Sequence, residues 1–134
     1  MEIFIIIMGI IIVLGLILFG RKKSEVVIEQ QPLSEEERLR INKANDFNMI
    51  VEDIFTIMGK GTVVTGKIDS GLISINEEAD LYGNNGLKRK VTVLGIEMFR
   101  KTLDYAQADD NVGLLLGDIS KNEIERGDTL TLRR

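Results

Sequence analysis

The sequence has no cysteine, no histidine and no tryptophan, and one proline, Pro32. Without cysteine, neither a disulfide framework nor a thiolate metal site is available. Without histidine, the chain lacks the usual metal ligand and the usual general base near neutral pH. Basic residues do not predominate: 17 Lys and Arg stand against 21 Asp and Glu, a formal net charge of −4. From residue 47 onward the count is 11 basic to 14 acidic, so no broad cationic field faces a phosphate backbone. Local basic clusters remain at Lys88-Arg89-Lys90 and Arg100-Lys101, and each alone also suits a solvated strand edge.

The most conspicuous segment is the start, MEIFIIIMGIIIVLGLILFG, followed by Arg21, Lys22 and Lys23. Ile3 to Gly20 carry neither charge nor side-chain hydrogen-bonding group, and as a helix they would reach roughly 27 Å, close to the hydrocarbon thickness of a bilayer. A cleaved signal would place its positive charge before the apolar run and small residues after it. Here only Met1 and Glu2 precede it, and Leu18-Phe19-Gly20 is a poor cleavage site. Residues 1–20 are therefore expected to form an uncleaved transmembrane helix that contacts membrane lipid through residues 3–20. The basic cluster on its C-terminal side predicts an N-terminus outside and residues 21 onward in the cytoplasm, a single-pass cell-membrane protein. Gly9, Gly15 and Gly20 do not have the spacing of a helix-pairing face.

Residues 21–46 mix basic and acidic side chains evenly around Pro32 and have little to bury, which reads as a charged linker. Ser34 and Glu37 fit a capping box that would start a short helix over Glu35 to Lys43. Such a helix is too short to hold alone and needs something to pack on.

From Phe47 the texture changes to short β-rich runs: Met49 to Ile57, Thr62 to Ile68, Leu72 to Ile75, Ala79 to Tyr82, Arg89 to Met98, Val112 to Ile119 and Thr129 to Leu132. Turn residues separate them at Gly59-Lys60-Gly61, Asp69-Ser70-Gly71, Asn84-Asn85-Gly86 and Arg126-Gly127-Asp128. An all-β barrel or sandwich of about 88 residues follows, because only a closed or two-layered sheet buries so many short apolar strands.

Several apparent motifs fail on spacing. Gly59-Lys60-Gly61-Thr62 looks like a phosphate loop, but Ile54 and Gly61 stand where Walker A needs Gly and Ser or Thr. Asn42-Lys43-Ala44-Asn45 comes within one residue of a guanine-reading motif, yet lies in the charged linker with no phosphate loop to serve. The acidic pairs Glu52-Asp53 and Asp109-Asp110 are chemically able to bind a hard cation or move protons. Strand neighbours point to opposite faces, however, and acidic turns usually face water. No nucleophile–base pair and no cofactor loop is visible, so neither enzymatic activity nor a cofactor or metal is expected.

Four segments, VEDIFTIMGKGTVVTG (Val51 to Gly66), LGIEMFRKTLD (Leu94 to Asp104), DNVGLLL (Asp110 to Leu116) and IERGDTL (Ile124 to Leu130), closely resemble the second domain of elongation factor Tu and its translational GTPase relatives. The resemblance spans nearly all of residues 47–134 and implies that family's Greek-key β-barrel. In those relatives the barrel follows a GTP-hydrolysing domain and helps hold the aminoacylated 3′ end of transfer RNA. No GTPase domain is expected before the barrel, and GTP binding and hydrolysis are accordingly not expected.

The resemblance also implies a pocket. Where the family lodges the amino acid, this chain has Glu52, Asp53, Phe55, Thr65 and Asn111; where it packs the terminal adenosine, this chain has Glu97, Ile57, Leu115, Arg100 and Lys60. A carboxylate can accept from an ammonium or a ribose hydroxyl while apolar side chains support a base face. Phe55, Ile57 and Leu115 suit core or rim positions of any such barrel equally well, Asn111 suits a turn, and the charged residues suit local ion pairs. There are departures too. Lys60 stands for the family's arginine, Asp109 and Asp118 for glycines, Gly117 for an arginine and Ile50 for a proline. Aspartate enters the left-handed region less readily than glycine, so both turns should be retained under some strain.

Two functions follow. One is a membrane-tethered, noncatalytic interaction module that docks a protein, such as a translation component, at the cytoplasmic membrane face. The alternative is weak binding of the aminoacylated 3′ end of transfer RNA, because one barrel covers only part of that ligand.

Overall fold

A computed structural model describes residues 31–134. The expected membrane helix and most of the charged linker preceding Pro32 lie outside the described residues. Among the described residues no helix is long and apolar enough to cross a membrane.

Helix α1, Glu35–Ala44, opens with the expected capping box. The Glu37 N–H donates to the Ser34 hydroxyl at 3.1 Å, and the Ser34 N–H donates to the Glu37 carboxylate at 3.1 Å. Three glutamates fill its first turn, where they complement the helix dipole. The helix docks through polar groups. Asn42 Nδ2 donates to Gln107 Oε1 at 2.8 Å in a buried contact, and Arg38 Nη2 donates to the Ala108 carbonyl at 2.9 Å. Gln107 Nε2 reaches back to Glu35 at 3.3 Å. The segment read as linker thus contributes its helix to the unit that carries the barrel, which begins at Leu33.

The strands are β1 (Phe47–Ile50), β2 (Asp53–Ile57), β3 (Gly61–Ser70), β4 (Leu72–Ser74), β5 (Glu78–Gly83), β6 (Gly86–Met98), β7 (Lys101–Leu103), β8 (Tyr105–Gln107), β9 (Asn111–Gly117) and β10 (Thr129–Leu132). All pairings are antiparallel, in the order β1-β10-β5-β6-β9-β3, and β3 pairs back onto β1. Six strands therefore close into a barrel, and closure removes the edges that an open sheet would expose. β2 extends along the same edge of β3 as β1, β7 pairs with the end of β6, and β4 and β8 form a separate two-stranded ribbon.

Alternation fills the barrel. Val64 and Ile68 of β3, Val112, Leu114 and Leu116 of β9, and Val91, Val93 and Ile96 of β6 point inward and are buried. Phe47, Met49, Leu81 and Leu130 complete the interior with no exposed surface.

The run Met49 to Ile57, expected as one strand, divides at Val51-Glu52. There the Val51 N–H donates to the Asp128 carbonyl at 2.8 Å, and Val51 accepts from Gly127 at 2.8 Å. The kink presses Ile50 against Gly66, where a Cβ would lie 2.4 Å from the Ile50 carbonyl oxygen, so this approach requires glycine. β7 and β8 were not expected, since each has three residues and the turn joining β6 to β7 contains no glycine. Phe99 and Arg100 make that turn with φ of 52° and 65°. Asp109 and Asp118 adopt φ of 79° and 55°, so both glycine-replacing aspartates occupy the left-handed region.

Candidate functional site

Strand register decides which outward side chains share a row. Across β6, β9, β3 and β2 the pairs Gly95↔Leu115, Leu115↔Val63 and Val63↔Phe55 make one row. One step along the same face, Thr102↔Glu97, Glu97↔Gly113, Gly113↔Thr65 and Thr65↔Asp53 make the next. The row between them, Ile96, Leu114, Val64 and Ile54, points into the core. Asn111, two residues before Gly113, falls on the outer face by strand parity.

This face contains a cavity of about 220 Å³, lined by Ile57, Lys60, Val63, Gly95, Ile96, Glu97, Thr102, Gly113 and Leu115. Two glycines account for much of the depression. A Cβ at Gly113 would lie 3.4 Å from Val63 Cγ1, and one at Gly95 would lie 3.6 Å from Leu115 Cβ. Both are ordinary contacts, so the missing side chains leave space, and neither position demands glycine conformationally. Ile57 and Lys60 belong to the β2–β3 hairpin, Glu97 and Thr102 to the β6–β7 hairpin.

Of the ten residues named from sequence, Ile57, Lys60, Glu97 and Leu115 meet around this cavity. Phe55, Thr65, Asp53 and Asn111 share its face without lining it. Glu52 lies in the kink between β1 and β2, and Arg100 at the β6–β7 turn; both are exposed and neither lines the cavity. Val63, Gly95, Ile96, Thr102 and Gly113 were not singled out. For four of them the signal was alternation, since Val63 and Gly113 stand two from Thr65 and Leu115, Gly95 two from Glu97 and Thr102 two from Arg100; Ile96 belongs to the inward row and had no such signal.

The charges at this face differ in their engagement. The Ile54 N–H donates to Asp53 Oδ1 at 2.9 Å and holds that carboxyl below its usual range, with Arg126 Nη2 contributing at 3.1 Å. Asp53 is thus committed to an ion pair with a residue far along the chain, which no local pattern disclosed. Lys60, Glu97 and Arg100 form no ion pair among the described residues. The cavity therefore pairs an apolar floor with one free carboxylate and one free ammonium.

A closed six-stranded antiparallel barrel with these strings on its β3, β6 and β9 strands is matched by the family model for elongation factor Tu domain 2 over residues 61–131. The chain belongs to the elongation factor Tu domain 2 family. The matched span runs from the first residue of β3 into β10 and includes Thr65, Glu97, Arg100, Asn111 and Leu115. Glu52, Asp53, Phe55, Ile57 and Lys60 precede it, and the structure attaches them to the family barrel through the β2–β3 ladder.

Proposed function

We propose that this member of the elongation factor Tu domain 2 family is a noncatalytic binding module that docks a protein, a translation component being the leading class, at the cytoplasmic face of a membrane that residues 3–20 span. The observation that carries this reading is the outward platform of β6, β9, β3 and β2. Apolar side chains of Phe55 and Ile57 remain about half-exposed there around a cavity that has unpaired charges at its margin. Such a surface is complementary to a partner, and tethering raises its effective concentration enough to compensate for a modest contact. The test uses a soluble fragment of residues 33–134, which retains α1 and its docking site. After nuclease treatment it should retain a protein partner that a cavity-filled Gly95→Ala/Gly113→Ala variant loses; recovery of transfer RNA alone would reject protein docking. A reporter fused after Arg134 should be active only in the cytoplasm, and activity outside would reverse the orientation.

The cavity also supports the second reading, weak capture of an aminoacylated RNA 3′ end. Val63 and Leu115 provide an apolar floor for a base, and Glu97 an acceptor for a ribose hydroxyl. Titration of the fragment with aminoacyl transfer RNA should then show binding that Glu97→Ala and Asn111→Ala weaken. A flat titration ends this reading.

A further inference from the structure

The platform continues from β6 into β7, and its outer strands, β2 and β7, have no second strand neighbour among the described residues. Such edges invite another chain, and proteins blunt them with charge, proline or brevity. β7 has three residues and opens with Lys101. β2 has five, and from Ile54 to Met58 the chain carries neither charge nor proline nor glycine. The Lys60 N–H donates to the Ile57 carbonyl at 3.0 Å to close the β2–β3 turn, while the Ile54 N–H turns away from β3 to Asp53 Oδ1 at 2.9 Å. Phe55 and Ile57 therefore make the ladder bonds to β3, and Ile54 and Thr56 direct their main-chain groups outward. The short 3-10 helix Lys121–Glu123 approaches β2 from the inner side instead. There Thr62, opposite Thr56, donates its hydroxyl to the Ile119 carbonyl at 2.7 Å in a buried bond.

We infer that β2 pairs with β2 of a second copy of this chain, antiparallel across a twofold axis through Thr56. The free main-chain groups are self-complementary. In chain order they are the Ile54 carbonyl, the Thr56 N–H and carbonyl, and the Met58 N–H, none bonded to another main-chain group among the described residues. Turned end for end, the two Thr56 residues exchange both of their bonds, and each Met58 N–H meets the Ile54 carbonyl of the other copy. The same axis sets Phe55, 47% exposed, beside Ile57 of the second copy, 43% exposed, as a close cross-strand apolar pair. The charges agree as well. Glu52 precedes β2 and Lys60 follows it, both exposed and neither in an ion pair among the described residues. Antiparallel pairing brings Glu52 of each copy alongside Lys60 of the other, about one strand spacing or ~4.8 Å apart, which their side chains span. A second copy supplies all of these matches at once, whereas a nucleic acid or a bilayer has no main-chain ladder to offer. The axis is perpendicular to the sheet, so both cavities face the same side and the platform is doubled. This association goes beyond the docking of another protein and does not depend on it.

The sequence has no cysteine, so Thr56→Cys gives the full-length chain a single thiol, and a short bis-maleimide added to cells expressing it should yield a product of twice the chain's mass. In that background Glu52→Lys or Lys60→Glu, which oppose like charges at both ends of the pair, should each lower the yield at least about fivefold. The double reversal Glu52→Lys/Lys60→Glu should restore it, because only a second copy carries the compensating change. Thr56→Pro in the otherwise unaltered chain removes an outward N–H that β3 does not use. That variant should sediment as a monomer in detergent while melting as the parent does. Absence of the doubled product, a product indifferent to the single reversals, or one that the double reversal fails to restore would overturn the inference. So would a product formed from Thr102→Cys on β7 and not from position 56, or a Thr56→Pro chain that remains dimeric. A cross-link from position 56 to a different protein would assign the edge to that protein and overturn self-pairing. Partner retention by the monomeric Thr56→Pro chain reports separately on the docking reading, which survives the loss of self-pairing.

Discussion

Filling the cavity floor separates binding from folding more cleanly than removing a charged side chain. At Gly113 an added Cβ meets Val63 Cγ1 at 3.4 Å and Thr65 Cγ2 at 3.9 Å; at Gly95 it meets Leu115 Cβ at 3.6 Å. None of these distances forces a neighbour to move, and neither glycine has a positive φ. Replacing such a glycine by alanine reduces the freedom of the unfolded chain and stabilises by about 0.4–1 kcal/mol. The double variant Gly95→Ala/Gly113→Ala should gain about 1 kcal/mol and melt about 4–8 °C higher for a domain of this size. A ligand seated in the cavity meets the opposite effect, since inserting methyl groups into an occupied, packed site costs about 1–3 kcal/mol. Binding should therefore weaken roughly tenfold to a hundredfold. Thermal melting of the 33–134 fragment and partner retention on the same material measure both arms. A more stable variant that binds as the parent does would show that no ligand enters the cavity. A variant that melts lower would show that the glycines serve the backbone instead.

Three further outcomes follow from other parts of the structure. Asp118→Gly should raise the melting temperature, because it relieves a residue held at φ 55° at a gain of about 0.5–1 kcal/mol; unchanged melting would argue against strain there. Gln107→Ala leaves buried Asn42 without its 2.8 Å partner at a cost of about 1–3 kcal/mol. Hydrogen exchange should accelerate in α1 while β3 and β9 stay protected; uniform acceleration would contradict a separable helix dock. Glu77 receives Arg134 Nη1 at 2.8 Å, and this bond, with the Ser74 N–H, holds its carboxyl below the usual glutamate range. A depressed folded-state value means that the contribution is complete above about pH 4.3, the unfolded value, and is lost as pH falls through the folded value. Acid titration of stability should show a loss of about 1 kcal/mol there, which Glu77→Gln removes; an unaltered acid limb would exclude the pair.

How legible each part was depended on how local its cause is. The α1 start was readable because a capping box relates residues only three apart, and Thr129–Leu132 because alternation between turns is equally local. The division of Met49 to Ile57 was hidden, since it depends on Val51 exchanging hydrogen bonds with Gly127 and Asp128 far along the chain. β7 was hidden because Phe99 and Arg100 take positive φ without the glycine or asparagine that normally announces such a turn. Within the candidate site, family resemblance supplied residue identities but not their grouping. The register puts Glu97 and Asp53 in one row, and only the folded structure shows that Ile57, Lys60, Glu97 and Leu115 share one cavity while Asp53 is drawn to Arg126.

Closure of the barrel explains why family membership and function must be tested on different residues. Six strands that complete their own hydrogen bonding and bury Val64, Leu114, Leu116 and Ile96 between them leave every second side chain free of folding constraints. Substitutions on the outer rows can then change the partner without changing the fold. The core strings identify the family because packing penalises their variation. Lys60, Met58, Leu94 and Glu97 are exposed, and their replacement should leave melting within about 0.5 kcal/mol of the parent while changing what the platform retains. If instead these four govern stability and the partner is indifferent to them, the outer face is scaffolding, and the binding surface lies elsewhere on the chain.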